Sequence, residues 1–151
     1  MTIGFECEYF LGTKYGLVHP VPRRYPRDGT QNLVEVRSTW YRSPLDTLDS
    51  FLAEHTRLTK LVERDGYMLI NLPAAALGNK VETAGFHIHF STPVTPQHIA
   101  QLDAVFGVHV LSMSRKFGWF RRKPHGFEYR SLSATVSPRE VAELLLKVIT
   151  Q

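Results

Sequence analysis

The sequence predicts an α+β fold, with helices covering one face of a mainly antiparallel sheet and the opposite face left as a polar floor. Three observations predict it. Several short segments alternate with period two, each pairing an apolar face with one of carboxylates, imidazoles or guanidiniums. Three Ser-Pro or Thr-Pro dipeptides precede apolar residues at helical spacing and so mark helix starts. The resulting element order is strand, strand, helix, strand, strand, helix, strand, helix.

Taken in order, residues 3–10 (IGFECEYF) put Ile3, Phe5, Cys7 and Tyr9 on one side of a strand and Gly4, Glu6 and Glu8 on the other. From Gly12 to Asn32 the prolines, glycines and arginines predict a long, unanchored loop of the functional or mobile kind. Residues 33–39 (LVEVRST) alternate again, with Glu35 and Arg37 opposite Val34 and Val36. Ser43 as N-cap and Pro44 at the first helical position open a helix over 44–64, which Asp65-Gly66 ends. YMLINL (67–72) reads as a buried strand and PAAALGNK (73–80) as a loop. The sharpest alternation is GFHIHFS (85–91), which sets Phe86, Ile88 and Phe90 against His87, His89 and Ser91.

Thr95-Pro96 opens a second helix running to about Lys116, and Gly118 stops it. A basic loop, WFRRKPHG (119–126), leads into the strand FEYRSL (127–132), with Glu128 and Arg130 on one face and Phe127 and Tyr129 on the other. Ser137-Pro138 starts a terminal helix with Val141, Leu144, Leu145 and Val148 inward. Residues 1–151 are expected to form one domain, since a chain of this size buries about 68–70% of its unfolded surface.

Composition narrows the function classes. With 43% hydrophobic and 21% charged residues the chain is neither disordered nor fibrous. No apolar run reaches the roughly 18 residues that cross a bilayer, and the N-terminus lacks the basic start of a signal peptide, so a cytoplasmic protein is expected. A single cysteine excludes an internal disulfide and a CxxC zinc site. Eighteen Lys and Arg against 14 Asp and Glu, net +4, favour an anionic ligand.

The polar floor collects Glu6, Glu8, Glu35, Arg37, His87, His89, Glu128 and Arg130. Residues two apart on a strand project from the same face about 6.5–7 Å apart, close enough to grip one or two ions from one side. Four glutamates with a histidine pair suit hard divalent ions, Mg²⁺ or Mn²⁺, better than zinc. Any one of these pairs alone is what a solvated sheet face or a cross-strand ion pair would show. Four of them on the same side of four strands carry the functional reading. Cys7 falls on the apolar side and reads as core.

The segments IGFECEYFL, DG…LVEVRS, GFHIHFS and KPHGFEYRSLS, in this order over about Ile3 to Ser133, resemble the carboxylate–amine (COOH–NH2) ligases of the glutamine synthetase and glutamate–cysteine ligase superfamily, especially the phage-encoded type. The resemblance implies a glutamine synthetase-like domain that uses ATP and Mg²⁺ or Mn²⁺ to join a small-molecule or peptide carboxylate to an amine. It implies that Glu8 and Glu35 lie nearer one metal, and Glu6, His87 and Glu128 nearer another. His89 would approach the nucleotide phosphates, and Arg37 or Arg130 would neutralise charge on a phosphoryl group or substrate carboxylate. Arg121, Arg122 and Lys123 match a basic segment that reaches phosphate. Asp28 lies near Glu35 in sequence but within the long loop. Members of the family are usually longer, so a homo-oligomer that completes the site is expected.

No Walker-type or Rossmann glycine motif is present, so a nucleotide would bind by this other route. Two other classes stay open: a non-catalytic metal- or nucleotide-binding module, and a phosphotransferase of the related phosphagen-kinase type. Nucleic acid ranks last among partners, because Trp119 and Phe120 in KFGWFRRK also serve simply to anchor a loop.

Overall fold

A computed structural model describes residues 1–113 and 115–149. The chain forms β1 (Ile3–Thr13), β2 (Gly16–Val18), β3 (Val34–Arg37), α1 (Pro44–Arg64), β4 (Met68–Ile70), β5 (Ala74–Leu77), β6 (Lys80–Thr83), β7 (Gly85–Phe90), α2 (Pro96–Ser112), β8 (Phe120–Lys123), β9 (Gly126–Ser133) and α3 (Pro138–Ile149). A seven-stranded sheet runs β2-β1-β7-β9-β8, with β3 and β4 also paired to β1, and β5-β6 forms a separate hairpin. Every pairing is antiparallel. The expected α+β class with a mainly antiparallel sheet is therefore observed.

The alternation does what the sequence requires of it. Phe5, Cys7, Phe86, Ile88, Phe127 and Tyr129 turn into one core with Leu48 and Phe51 of α1, Phe106 of α2 and Leu145 of α3. All three helices thus cover the same face of the sheet. Phe5 meets Phe51 edge-on at 6.4 Å and Phe86 at 5.3 Å, the tilted arrangements that aromatic quadrupoles prefer. Cys7 is buried, its Sγ 3.5 Å from the carbonyl of Ala134.

Helix α1 occupies the span its spacing predicts. Ser43 holds the N-cap position but makes no side-chain cap; Thr47 donates to the Ser43 carbonyl instead. Thr95 does cap α2, accepting from the amide of His98 at 3.1 Å. That helix ends at Ser112, short of the expected Lys116, and the expected last turn crosses Ser114, which lies outside the described residues.

Four segments differ from expectation, the first being 67–72, where only Met68–Ile70 form strand β4 and Met68 and Leu72 are exposed rather than buried. The stretch 12–32 is anchored: β2 pairs with β1, Arg27 bridges Val34, and Val21 and Tyr25 sit in a second small core with Leu11, Val34 and Val62. PAAALGNK is not a loop but half of the β5-β6 hairpin, whose alanines give no amphipathic pattern to read. The basic stretch after Trp119 is strand β8, because its backbone pairs with β9 in register Arg121 to Glu128 and Lys123 to Gly126.

Candidate metal and anion cleft

The functional face follows from register. In an antiparallel sheet, directly paired residues project from the same side. Glu6 pairs with both Arg37 and His87, Glu8 with Glu35, His89 with Glu128, and Glu128 with Arg121. Five strands therefore deliver their polar residues to one cleft of about 410 Å³.

Its lining includes ten of the eleven residues expected from the sequence: Glu6, Glu8, Glu35, Arg37, His87, His89, Glu128, Arg130, Arg121 and Lys123. Arg122 is the exception. Alternation along β8 turns it to the other face, where it lines a groove with Val94 and Phe120 and its guanidinium lies 5.8 Å from the Phe120 ring. The expectation that it shares the phosphate-binding surface is corrected accordingly.

Three of the four glutamates are buried and Glu6 is half-buried. Glu128 is 2% exposed, Glu35 8% and Glu8 9%. The Glu6 carboxylate meets His87 Nδ1 at 3.0 Å and His89 Nε2 at 3.4 Å, and Glu128 Oε2 also stands 3.4 Å from His89 Nε2. One ligand atom each from Glu6, His89 and Glu128 lies within 4.8 Å of the other two. His89 Nε2 is buried and has no hydrogen-bond partner. A donor set of two carboxylates and an imidazole fits a hard divalent ion such as Mn²⁺.

The second carboxylate group is Glu8, Glu35 and Asp28. Glu8 accepts from the Gly85 amide at 2.8 Å. Burial, with the charges of Asp28, Glu35 and Glu6 adding to it, pushes the Glu8 carboxyl up to about 7 despite that bond. Burial also pushes Glu35 up to about 7, helped by Glu6 and opposed by Arg37, whose guanidinium it contacts. Glu6 goes the other way: burial pushes it up, but the imidazoles of His87 and His89 beside it outweigh that and hold it well below the usual range. Carboxylates crowded in this way would be stabilised by a cation bound among them.

Cations rim the opposite side. Arg130 binds Glu128 directly, while Arg121 and Lys123 approach the same carboxylate at 3.9 and 4.0 Å. Arg121 is exposed and free to turn toward an anion.

Four residues beyond the alternation pattern also shape the cleft. Asp28 sits at its edge, held by the amides of Asn32 and Leu33 at 3.0 and 3.1 Å; the Asp-Gly dipeptide signalled a turn but not where the turn lands. Arg115 donates to the carbonyl of Arg130 at 3.0 Å, and Trp40 and His125 flank His89. These three lie outside the strands, so no period could reveal them.

No family model, no curated protein and no solved structure matches the chain. No helix among the described residues is long and apolar enough to cross a membrane.

Proposed function

We propose that the protein is an ATP- and divalent-metal-dependent ligase that joins a carboxylate to an amine through an acyl phosphate. The observation that carries the proposal is the union, on one sheet face, of two buried carboxylate groups with a rim of guanidinium and ammonium groups. The resemblance of the FECE, GFHIHFS and FEYR segments to carboxylate–amine ligases supports the same reading.

Glu6, His89 and Glu128 would hold one divalent ion, with His87 fixing Glu6 from behind; Glu8, Glu35 and Asp28 would hold another. Bound there, the ions supply charge neutralisation and orientation for the phosphates of ATP. Arg121 and Lys123 bind phosphate oxygens from the β8 edge. A carboxylate oxygen of the acid attacks the γ-phosphorus as ADP leaves. The amine nitrogen then attacks the acyl carbon, orthophosphate departs, and the nitrogen loses a proton. Arg130 and Arg37 would follow the charge that spreads over phosphoryl oxygens in the first step.

The test is a hydroxylamine trap. Incubation with ATP, Mg²⁺ and a panel of amino acids and short peptides is expected to yield a hydroxamate together with ADP. ADP without hydroxamate would indicate a phosphotransferase, and neither product a binding module.

A further inference from the structure

We infer that the open edge of β8 is a docking site for an extended peptide segment that adds to the sheet as an antiparallel strand, with an acidic side chain opposite Arg122 and an apolar one opposite Phe120. The inference goes beyond the function proposed above and stands apart from it, because these contacts lie on the sheet edge and its helix side, outside the cleft.

The backbone of β8 offers the first half of such a site. The strand ends the sheet and pairs on one side only, with β9. The Arg130 amide donates to the Trp119 carbonyl at 2.7 Å, so these two residues form a hydrogen-bonded pair. Bonded and non-bonded pairs alternate along an antiparallel ladder, which makes Arg121 with Glu128 and Lys123 with Gly126 the next bonded pairs. Phe120 and Arg122 fall between them. Their N–H and C=O groups therefore point to the open edge, and both residues are exposed. An added strand pairs with a row of this kind.

Side chains select the strand. Phe120 and Arg122 face a groove of about 380 Å³ walled by Val94, Pro96 and Ile99. Asp103, the one acid in its lining, is engaged by the Tyr129 hydroxyl at 2.7 Å and the Gly118 amide at 3.0 Å. The groove thus joins apolar walls to a guanidinium that Asp103 is not free to neutralise. A second copy of this chain is the wrong occupant. Two β8 edges laid together would set Arg121, Arg122 and Lys123 against the same three cations, a repulsion that an acidic strand turns into attraction. The intervening side chains of the added strand would face the cleft beside Arg121 and Lys123.

The probe is a fluorescein-labelled Thr-Glu-Thr-Leu-Thr amide, followed by anisotropy without metal or nucleotide. In antiparallel register its Glu opposes Arg122, the central Thr opposes Arg121, and Leu opposes Phe120. Methylating the Leu nitrogen, which faces β8, is expected to weaken binding at least about tenfold; methylating the central Thr nitrogen, which faces away, should change it less than about twofold. Equal effects of the two methyl groups, or no saturable binding of the parent peptide up to about 1 mM, would overturn the inference. Replacing the peptide's Glu by Gln should weaken binding and remove most of its salt dependence; unchanged affinity would overturn the choice of an acidic partner. In the protein, Arg122→Ala keeps the outward N–H and is expected to cost several-fold. Arg122→Pro removes that N–H without breaking a β8–β9 bond and should abolish binding. Equal losses in the two variants, with thermal melts showing both folded, would overturn strand addition; where the proline variant does not fold, the methylated peptides decide. Light scattering that shows the unaltered protein as a dimer which Arg122→Pro dissociates would give the edge to a second copy and overturn the inference.

Discussion

At the scale of single residues the cleft sets crowded carboxylates against a rim of guanidinium and ammonium groups, and three measurements follow. Glu6→Gln with Glu128→Gln should abolish tight Mn²⁺ binding, because both carboxylates reach the same His89 nitrogen; undiminished affinity in a calorimetric titration would remove these residues from the site. The second concerns pH. Glu8 and Glu35 are pushed from an ordinary 4.5 to about 7, so the folded state holds their protons more tightly than the unfolded chain does. Their stabilising contribution is full below 4.5 and is lost as pH rises through 7. Glu6 is shifted down, so its contribution is present above 4.5 and is lost as pH falls. The metal-free melting temperature should therefore be highest near 4.5–5 and decline toward 7 and above, and Glu8→Gln should flatten that decline in scanning calorimetry in chelator. In the proposed reaction, Arg130→Lys is expected to slow hydroxamate formation more than it weakens ATP binding, since a forked guanidinium can follow spreading charge and an ammonium cannot do so bidentately.

At the scale of elements, the precision of the site depends on how β7, β8 and β9 meet. Gly126 has φ +149°, and a Cβ there would approach the Phe90 carbonyl to 2.1 Å. Gly126→Ala should accordingly destabilise the protein by at least about 2 kcal/mol and disturb Lys123, its partner in register; a chemical-denaturation midpoint equal to that of the unaltered chain would refute this. Between β7 and β9 the register shifts at His87, so Phe127 and Tyr129 point inward at odd positions and Leu132 and Ala134 at even ones. The consecutive polar residues Arg130 and Ser131 mark that shift in the sequence. Long or strongly alternating elements were legible: α1 from its Ser-Pro start and leucine spacing, and Glu6, Glu8, His87, His89 and Glu128 from period two. What was not legible depends on tertiary partners. Arg122 looks equivalent to Arg121 until β8 is known to be a strand, and His125 meets His89 only in the folded sheet. Asp28 reaches the cleft because an anchored loop folds back over it.

At the scale of the whole molecule, one core joins the sheet to all three helices, so thermal unfolding should be a single transition with matching calorimetric and van't Hoff enthalpies. Phe51→Ala, which empties a fully buried site between Phe5 and Phe86, is expected to cost about 3–5 kcal/mol. Saturating metal should act oppositely, adding about 2.7 kcal/mol at a hundredfold excess over Kd. Cys7 gives this architecture a built-in clock. Its thiol is 1% exposed, on β1, a strand paired on both sides, and burial pushes it up to about 12, so little reactive thiolate reaches solvent while the sheet is closed. A thiol-specific reagent can modify it only during excursions that part β1 from the helices above it. The labelling rate, followed by mass spectrometry on the unaltered chain, therefore reports how often the whole domain opens, and added Mn²⁺ should slow it.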